Sequence, residues 1–453
     1  MSQRKKLTLS TTQIILFSFF ITILLGSLLL YLPISSADGK GVSYIDALFT
    51  ATTSTCVTGL VTVPTVSTWS VFGQVVILLL IQIGGLGIIT IMSGIMIALN
   101  RKMGIGDRLL IQDAFNLNSM SGLAKFVKDV MFGTLVIESI GAVFYMLVFV
   151  PDFGTKGIWI SFFNSVSAFC NAGIDIIGEN SLCDYVTDPI VNTVTSLLII
   201  LGGLGYIVWW DVLRVIKSRN KKNKRIFRYL KLHSKIAVTV TLWLIFGGGL
   251  LIFVFEYNNP LTIGNMSLFE KIQASIFQSI TTRTAGFNTI PQENFTNSSA
   301  MLSLMLMLIG GSPVGTAGGI KTVTVAVLFC SAFGTIRNND NALLFGRCIS
   351  ASSVKKAVAV AVTFVTICFF STIMLMFVTE ANAIDVIYET VSAAATVGLS
   401  RNFTGNLNFF GKIIIIITMY FGRVGPISLA VALGSKSQSQ NLISNPVEEL
   451  SIG

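Results

Sequence analysis

Four short loops of the chain share one pattern, in which a glycine follows small and hydroxyl-bearing residues. They are residues 55–60, 169–174, 282–287 and 394–399, with glycines at 59, 173, 286 and 398. Their only charged side chain is Arg283, and they contain no metal-ligand cluster and no nucleophile with an adjacent base. Backbone carbonyl oxygens remain, and rings of such oxygens can replace the hydration shell of a cation. The pattern therefore predicts binding of dehydrated monovalent cations rather than catalysis.

The spacing of these glycines indicates an internal repeat. Successive glycines lie 114, 113 and 112 residues apart. A single glycine in a polar loop normally marks a turn, but four at nearly constant spacing are hard to assign to chance. Glycine suits a ring of carbonyls because it adopts positive φ without a steric penalty and lets backbones approach closely. We expect four equivalent loops that meet on a common axis.

A short amphipathic stretch with an aromatic residue precedes each loop. The four stretches include residues 44–49, 159–163, 268–272 and 384–389. Each is too short to cross a bilayer, which takes about 20 apolar residues, so each is predicted to form a re-entrant half-helix. Such helices would aim their C-terminal ends, which carry partial negative charge, at the loops.

Long apolar segments flank each half-helix and loop. The first spans are predicted at residues 12–33, 126–150, 234–256 and 356–379, and the second spans at 71–99, 189–214, 299–336 and 411–434. The predicted fold is an all-α polytopic membrane protein, with four pseudo-fourfold repeats of span, re-entrant half-helix, filter loop and span around a central pore. The repeats cover residues 1–112, 113–225, 226–340 and 341–453, the last with a short C-terminal tail. Irregular backbone at membrane depth survives only inside protein or beside a watery cavity, which favours a pore.

The composition excludes several classes of protein. Hydrophobic residues make up 53% of the 453 residues and charged residues only 11%, with a mean hydropathy of +0.78. Soluble and disordered proteins and most nucleic-acid binders are therefore excluded, in spite of the net charge of +10. The single histidine, His233, excludes a multi-histidine metal site. The six cysteines show no CxxC spacing and are expected to be free thiols.

The distribution of Lys and Arg predicts the orientation in the membrane. Five segments assigned to one side hold 23 of the 31 basic residues: 1–10, 100–128, 211–235, 337–356 and the C-terminal tail. Because basic loops stay in the cytoplasm, both termini are expected there. Most acidic residues fall on the opposite side, where they would concentrate cations near an entrance. The N-terminal apolar run is interpreted as a span and not as a cleavable signal.

The span–loop–span repeats with one glycine per loop resemble, over nearly the whole chain, the Trk/Ktr/HKT superfamily of potassium transporters. The start of the chain is closer to the KtrB-type subunit than to the longer TrkH type. The resemblance implies a short K⁺ filter, with K⁺ as the transported ion and the only metal held. In some HKT members serine replaces the first glycine and Na⁺ selectivity follows, whereas this chain has Gly59. The implied filter residues are Val57, Thr58, Gly59, Asn171, Ala172, Gly173, Thr284, Ala285, Gly286, Thr396, Val397 and Gly398.

The second span of repeat three contains a candidate gate. It is too long for one straight helix, and its middle holds five glycines and a proline, which break helices. The glycine clusters of the other second spans are interpreted as helix-packing contacts. An irregular loop in the pore below the filter is predicted, and the resemblance likewise implies a loop that blocks the pathway and moves on activation. The residues assigned to it are Gly310, Gly311, Ser312, Pro313, Gly315, Gly318, Gly319 and, at its cytoplasmic end, Lys321.

Arg423 is a second candidate gate residue. It lies within an apolar segment, and an arginine inside the membrane is costly and by default suggests a functional site. Two interpretations stay open. Arg423 forms a structural ion pair, for example with Glu138, or it is an electrostatic barrier to cations beside the pore and below the filter.

The resemblance also implies partners and a location. KtrB-type subunits form homodimers and sit on a cytosolic ring of nucleotide-binding KtrA-type subunits, at the bacterial plasma membrane. This chain carries no nucleotide-binding fingerprint, so any nucleotide sensing would come from the partner. The basic stretch 211–235 is available to membrane lipid or to that ring. No nucleic-acid partner is expected.

The sequence thus predicts the ion-translocating subunit of a Ktr-like potassium uptake system, with no enzymatic activity and no bound cofactor. Dependence on Na⁺ as a coupling ion stays open, as does a Na⁺-selective or Na⁺/K⁺-coupled relative. A secondary transporter for an organic solute is less favoured, because such proteins commonly have inverted repeats and these repeats share one orientation. A membrane enzyme would need paired acids or histidines within spans, and Glu138 and Asp129 have no matching partner.

Overall fold

The computed structural model describes residues 11–99, 104–114, 122–217, 226–337 and 343–425. Both chain termini, with Arg4, Lys5, Lys6 and Lys436, lie outside this part, so the side of the membrane on which they lie stays a prediction. The centre of the basic stretch, residues 218–225, and the end of the span predicted at 411–434 also lie outside it. The exact boundaries of the four repeats stay predictions as well.

Repeats one and two consist mainly of helices in their described residues and follow the order span, half-helix, loop, second span. Repeat one contains α1 (Thr11–Tyr31), α2 (Tyr44–Cys56), α3 (Thr65–Thr68), α4 (Val71–Leu86), α5 (Ile88–Ala98) and α6 (Ile105–Ala114). Repeat two contains α7 (Leu123–Phe153), α8 (Lys156–Cys170), α9 (Pro189–Gly203) and α10 (Tyr206–Lys217). The loops with Gly59 and Gly173 follow α2 and α8 directly.

Repeats three and four have the same order, with a small hairpin between them. Repeat three contains α11 (Ile226–Tyr229), α12 (Leu232–Glu256), α13 (Leu268–Thr281), α14 (Asn297–Leu308) and α15 (Thr322–Ile336). The two-stranded antiparallel hairpin consists of β1 (Leu343–Leu344) and β2 (Arg347–Cys348). Repeat four contains α16 (Ala351–Val378), α17 (Ala383–Ala395) and α18 (Phe409–Val424).

The first span of every repeat is one long apolar helix. These are α1, α7, α12 and α16, of 21, 31, 25 and 28 residues. Among the described residues they are the four single helices long and apolar enough to cross a membrane, and two bent helix pairs raise that number to six. Many of their apolar side chains are exposed, among them Phe132, Trp243 and Phe377. Such faces suit contact with lipid.

The second spans of repeats one and two are sharply bent, which corrects the prediction of continuous helices. The axes of α4 and α5 meet at 94°, and so do those of α9 and α10. At the breaks Gly87 and Gly205 have φ of +87° and +85°, which a right-handed helix cannot contain. The packing interpretation holds for Gly84 and Gly85, because a Cβ on either would collide with Thr55 or Cys170. The same glycine clusters therefore both pack and break the helix.

The second span of repeat three is interrupted as the sequence predicts. Helix α14 ends at Leu308 and α15 begins at Thr322. We call residues 309–321 the intramembrane loop. It is closed at its base by hydrogen bonds between strand-like ends, from the Gly310 amide to the Ile320 carbonyl (3.0 Å) and from the Ile320 amide to the Leu308 carbonyl (3.1 Å). The break is thus a hydrogen-bonded excursion from the helix axis.

The half-helices α2, α8, α13 and α17 are 13 to 15 residues long. A serine side chain caps the N-terminus of two of them: Ser43 accepts from the amide of Asp46, and Ser267 forms a capping box with Glu270. Burial increases towards their C-terminal ends, and all residues from Phe49 to Cys56 in α2 are buried. The half-helices therefore begin near the surface and end in the centre of the molecule.

Polar contacts join the four repeats in a closed cycle. The Trp159 indole donates to Gln74 (2.8 Å), which links repeats two and one. The amide of Leu182 donates to the carbonyl of Asn288 (2.9 Å), which links repeats two and three. Two side chains of repeat four complete the cycle: Arg401 donates to the carbonyl of Gln292 (2.9 Å), and Lys412 forms an ion pair with Asp46 (2.6 Å). This closure is what a pseudo-fourfold arrangement requires.

Candidate cation pathway

The four loop glycines form a ring at the centre of the molecule. We call Gly59, Gly173, Gly286 and Gly398 the glycine ring. A Cβ built on Gly59 would lie 3.2 Å from the Cα of Gly173, one on Gly173 would lie 2.7 Å from the Cα of Gly286, one on Gly286 would lie 3.2 Å from the Cα of Gly398, and one on Gly398 would lie 2.9 Å from the Cα of Gly59. Each glycine thus contacts the next repeat in sequence order, and no side chain larger than hydrogen fits without a shift.

The carbonyl that precedes each glycine points to the neighbouring repeat. A Cβ on Gly59 would lie 2.5 Å from the carbonyl oxygen of Ala172, and one on Gly286 would lie 2.5 Å from that of Val397. The carbonyls of Ala285 and Thr58 stand in the same relation to Gly173 and Gly398. Four carbonyl oxygens, one from each loop, therefore surround the same centre.

All four loops share one backbone conformation. The glycines have φ between +63° and +98°. The residue two positions earlier also has positive φ, from +53° to +66°, and these residues are Val57, Asn171, Thr284 and Thr396. Positive φ is rare for a residue with a β-branched side chain and requires support from the surroundings. The four loops are thus alike in backbone conformation at these eight positions, and the assignment of twelve loop residues to a cation filter stays a prediction.

Hydroxyl groups on the half-helices hold the loops in place, and the sequence interpretation missed them. The hydroxyls of Thr53 and Ser392 accept from the amides of Gly59 and Gly398, both at 3.0 Å. Ser167 accepts from the amide of Ile174 (3.2 Å), and Thr281 donates to the carbonyl of Phe287 (2.8 Å). In three repeats the hydroxyl lies six residues before the glycine, and in repeat three it lies five before. This regular offset is the sequence signal that could have revealed them.

A vestibule lies on one side of the glycine ring, next to residues that follow the glycines in the sequence. It has a volume of about 350 Å³, and the four ring glycines form its floor. Three acidic residues, Asp175, Glu179 and Glu293, line it. Burial raises the pKa of Asp175 to about 6, although hydrogen bonds from Ser181 and from two backbone amides oppose the shift. The vestibule therefore carries negative charge near neutral pH.

The intramembrane loop lies against the other side of the ring, where it contacts residues that precede the glycines. The Thr284 hydroxyl accepts from the amide of Gly318 (3.1 Å). The Thr316 hydroxyl donates to the carbonyl of Phe169 (3.1 Å) and to the side chain of Asn171 (3.2 Å). A Cβ on Gly318 would collide with Thr396, which explains glycine at this position. The intramembrane loop thus contacts three of the four loops that carry the ring glycines.

The same loop is bonded to the bend in repeat two. The amide of Ser312 donates to the carbonyl of Gly203 (2.8 Å), and the amide of Tyr206 donates to the carbonyl of Val314 (2.9 Å). A Cβ on Gly315 would lie 2.8 Å from the carbonyl oxygen of Gly202. The bend at Gly205 therefore creates the space and the hydrogen-bond partners for the loop.

Two cationic side chains lie beside the loop. One nitrogen of Arg423 donates to the carbonyl of Thr316 (2.6 Å) and another donates to the carbonyl of Gly84. Lys321 was expected at the cytoplasmic end of the loop, and its ammonium turns back and donates to the carbonyls of Ala317 and Gly318. Both charges therefore lie close to the backbone of the loop, below the ring.

Glu138 is not the ion-pair partner of Arg423. Glu138 is buried in α7 and accepts from the side-chain amide of Gln82 (3.3 Å). Arg423 donates to backbone carbonyls instead, so it forms no ion pair with Glu138. The ion-pair example was wrong, because the broken helices of repeats one and three offer nearer acceptors.

Comparison with known proteins identifies a family and relatives that are similar to this chain. The family model described as TrkH, cation transport protein, matches residues 3–444. The Ktr system potassium uptake protein B of Bacillus subtilis is 39% identical over 428 residues, which cover 94% of each chain. The potassium/sodium uptake protein NtpJ of Enterococcus hirae is 38% identical and covers 100% of this chain and 99% of its own.

A solved structure supports the fold. The crystal structure of the potassium transporter TrkH from Vibrio parahaemolyticus superposes with a TM-score of 0.76 and covers 96% of this chain and 87% of its own, at 16% sequence identity. The predicted fold class and resemblance are confirmed. The expectation that the chain is not an enzyme is confirmed too, because the family consists of transport proteins. The chain belongs to the TrkH family of cation transport proteins.

Proposed function

We propose that this protein is the ion-translocating subunit of a potassium uptake system and that K⁺ passes through the glycine ring. The observation that carries the proposal is the closed ring itself, with one carbonyl from each of Thr58, Ala172, Ala285 and Val397 around one centre. Carbonyl rings substitute for the water shell of K⁺. The relatives in B. subtilis and E. hirae are named as uptake proteins for potassium and for potassium or sodium.

Electrostatics favour a monovalent cation in the ring. Helices α2, α8, α13 and α17 all end at the loops, and a helix C-terminus carries about half a negative elementary charge. Four such ends offset part of the cost of removing water from one cation. Because each loop contributes only a short stretch of irregular backbone, we propose a single well-formed site at residues 57–59, 171–173, 284–286 and 396–398.

We propose that the intramembrane loop and Arg423 form the gate. The loop contacts the ring from the side opposite the vestibule, so an ion that leaves the ring would meet it. The loop would owe its mobility to Gly310, Gly311, Gly315, Gly318 and Gly319, since glycine lowers the cost of changing backbone conformation. Ser312, Pro313, Lys321 and Arg423 belong to the same gate. Opening would require the hydrogen bonds to Thr284, Phe169 and Arg423 to break.

The test of this function is potassium uptake in cells that lack their own uptake systems. Expression of the protein is expected to restore growth at low external K⁺ and to give rapid ⁸⁶Rb⁺ uptake. Gly59→Ser is expected to reduce K⁺ selectivity against Na⁺, because a Cβ there collides with the neighbouring loop. Gly39→Ser is a matched control, since Gly39 also has positive φ (+70°) but no neighbouring atom within 4 Å. Equal K⁺ selectivity in the two variants would contradict the assignment of Gly59 to the cation site.

The alternative is a Na⁺-selective or Na⁺/K⁺-coupled transporter of the same family. It is favoured by the E. hirae relative, which is named as a potassium/sodium uptake protein. Parallel ²²Na⁺ and ⁸⁶Rb⁺ flux in vesicles separates the cases. Rubidium uptake that needs no external Na⁺ supports K⁺ transport alone, and uptake that rises with Na⁺ supports coupling.

The proposed setting is the plasma membrane of a bacterium, with both termini in the cytoplasm. We propose a homodimer on a cytosolic nucleotide-binding ring of the KtrA type. Exposed basic residues in the segment predicted to be cytoplasmic support this orientation, among them Arg214, Lys217, Arg228 and Lys231. The proposal is checked by the mass of the detergent-solubilised complex with and without a co-expressed ring subunit. A monomeric mass that the ring subunit leaves unchanged would contradict it.

A further inference from the structure

Arg283 is the single charged residue of the four loops, and its side chain is buried. It lies two residues after the end of α13, with 5% of its surface exposed. The ion pairs among the described residues join Arg214 to Asp211, Arg401 to Asp385 and Lys412 to Asp46, so none of them involves Arg283. A buried charge without a counter-charge is costly, and its field would repel a cation in the ring. The site therefore calls for negative charge close to the guanidinium.

A small internal cavity adjoins this side chain. Its volume is about 10 Å³, and Arg283, Asn171, Thr241, Gly203 and Gly311 contribute to its walls. The remaining walls are apolar and come from α9 and the residue after it: Ile199, Ile200 and Leu204. The cavity lies behind the second and third loops of the ring and against the intramembrane loop. The cavity has room for a single small species.

The unpaired polar atoms around the cavity are donors. The Nε of Arg283 and the Nδ2 of Asn171 are both buried and have no hydrogen-bond partner among the described residues. Asn171 is 1% exposed, and its Oδ1 already accepts from the hydroxyl of Thr316. A Cβ on Gly203, in the cavity wall, would lie 3.5 Å from Nδ2, so the amide donor lies next to the cavity. Two buried donors from two different loops thus converge on one small space.

We propose that this cavity binds one monatomic anion of the size of chloride, held by the guanidinium of Arg283 and the side-chain amide of Asn171. An anion accepts from every donor and also balances the charge of Arg283. A water molecule would accept from at most two donors, would need acceptors for its own two protons, and would leave the guanidinium uncompensated. The bound anion would fix the second and third loops relative to each other without weakening cation binding in the ring.

The direct test uses bromide, whose anomalous scattering identifies it. Crystals of the full-length protein grown in potassium bromide are expected to show an anomalous peak between Arg283 and Asn171. Arg283→Gln removes the charge at nearly the same length and is expected to abolish the peak, whereas Arg283→Lys retains it. Arg337→Gln, which changes an exposed arginine, is the control and is expected to keep it. A wild-type map with only water-like density and no anomalous signal overturns the proposal.

A second measurement covers the case in which Arg283→Gln crystals do not form. The melting temperature of the detergent-solubilised wild type is expected to be several degrees higher in potassium chloride than in potassium gluconate at equal concentration, because a ligand that binds only the folded state raises it. In Arg283→Gln the difference is expected to vanish. An equal difference in both proteins would assign it to general salt effects and overturn the proposal. Neither readout measures transport, so failure here and failure of the proposed function are distinct.

Discussion

Arg423 of repeat four donates a hydrogen bond of 2.6 Å to the carbonyl of Thr316, in the intramembrane loop of repeat three. Its other nitrogen donates to the carbonyl of Gly84, just before the bend in repeat one. Thr316 in turn donates to the carbonyl of Phe169, at the end of the half-helix of repeat two. One arginine and one threonine therefore connect all four repeats below the glycine ring, and the position of the loop depends on residues distant in sequence.

Substitution of Arg423 by alanine is expected to raise cation flux. The variant loses two charge-assisted hydrogen bonds that hold the closed loop, and it removes a positive charge from the pathway. Loss of about 1.5 kcal/mol from the closed state raises the open population about tenfold. The measurement is ⁸⁶Rb⁺ uptake into proteoliposomes at a fixed protein-to-lipid ratio.

The matched control for this prediction is Arg337→Ala, because Arg337 is an exposed arginine at the end of α15. Its flux is expected to equal that of the wild type. If Arg423→Ala also leaves flux unchanged, the arginine has a structural role and no part in a barrier.

Selectivity is expected to depend on the hydroxyl of Thr53. Thr53→Val keeps the shape of the side chain but leaves the amide of Gly59 without its acceptor at 3.0 Å. A buried unsatisfied amide costs about 1–3 kcal/mol, so the loop is expected to relax and the ratio of Rb⁺ to Na⁺ uptake to fall about tenfold. Thr53→Ser restores the acceptor and is expected to restore the ratio.

Thr52→Val provides the control for Thr53. Thr52 is equally buried, but its hydroxyl donates to the carbonyl of Leu48 within its own helix. Its substitution is expected to leave selectivity intact. A similar fall in both variants would show that packing of α2, and not the bond to Gly59, sets the ratio.

The ring could be predicted from sequence because its physical requirement is visible in residue type. Positive φ at a close backbone contact demands glycine, and Gly59, Gly173, Gly286 and Gly398 recur at nearly constant spacing. The interrupted second span of repeat three was predictable for a similar reason, since five glycines and a proline are incompatible with a continuous helix. Backbone conformations that depend directly on glycine or proline could therefore be predicted from the sequence.

What could not be predicted depends on which neighbour a residue meets. Gly84 makes a close packing contact, whereas Gly87 breaks the helix. In the sequence, both are glycines in an apolar run. Thr53 lies among other threonines, and only the fold shows that its hydroxyl reaches Gly59. Glu138 was a plausible partner for Arg423 by charge, but the bends in other repeats supply carbonyls at shorter range. Long-range pairing is decided by packing and not by local pattern.

The ion pair between Lys412 and Asp46 is expected to stabilise the closure of repeat four on repeat one. The two atoms lie 2.6 Å apart, and the side chains are only 15% and 13% exposed. Lys412→Met keeps the apolar stem and removes the charge, and about 1–3 kcal/mol of stability is expected to be lost. The melting temperature in detergent should fall by several degrees, while Lys355→Met, at an exposed lysine of α16, should leave it unchanged. Equal melting temperatures of both variants would show that this ion pair does not stabilise the closure of repeat four on repeat one.

Cation uptake at low external K⁺ is expected to fall as the external pH drops through about 6. Burial raises the pKa of Asp175 to about 6, so its carboxyl group is charged above that pH and neutral below it. Loss of this charge lowers the cation concentration in the vestibule and raises the apparent KM. Asp175→Asn is expected to show the high KM at every pH. Asp38→Asn is the control, because the Ser36 hydroxyl lowers the pKa of Asp38 and its charge does not change in this range. A pH step that survives in Asp175→Asn would exclude this carboxyl group as its source.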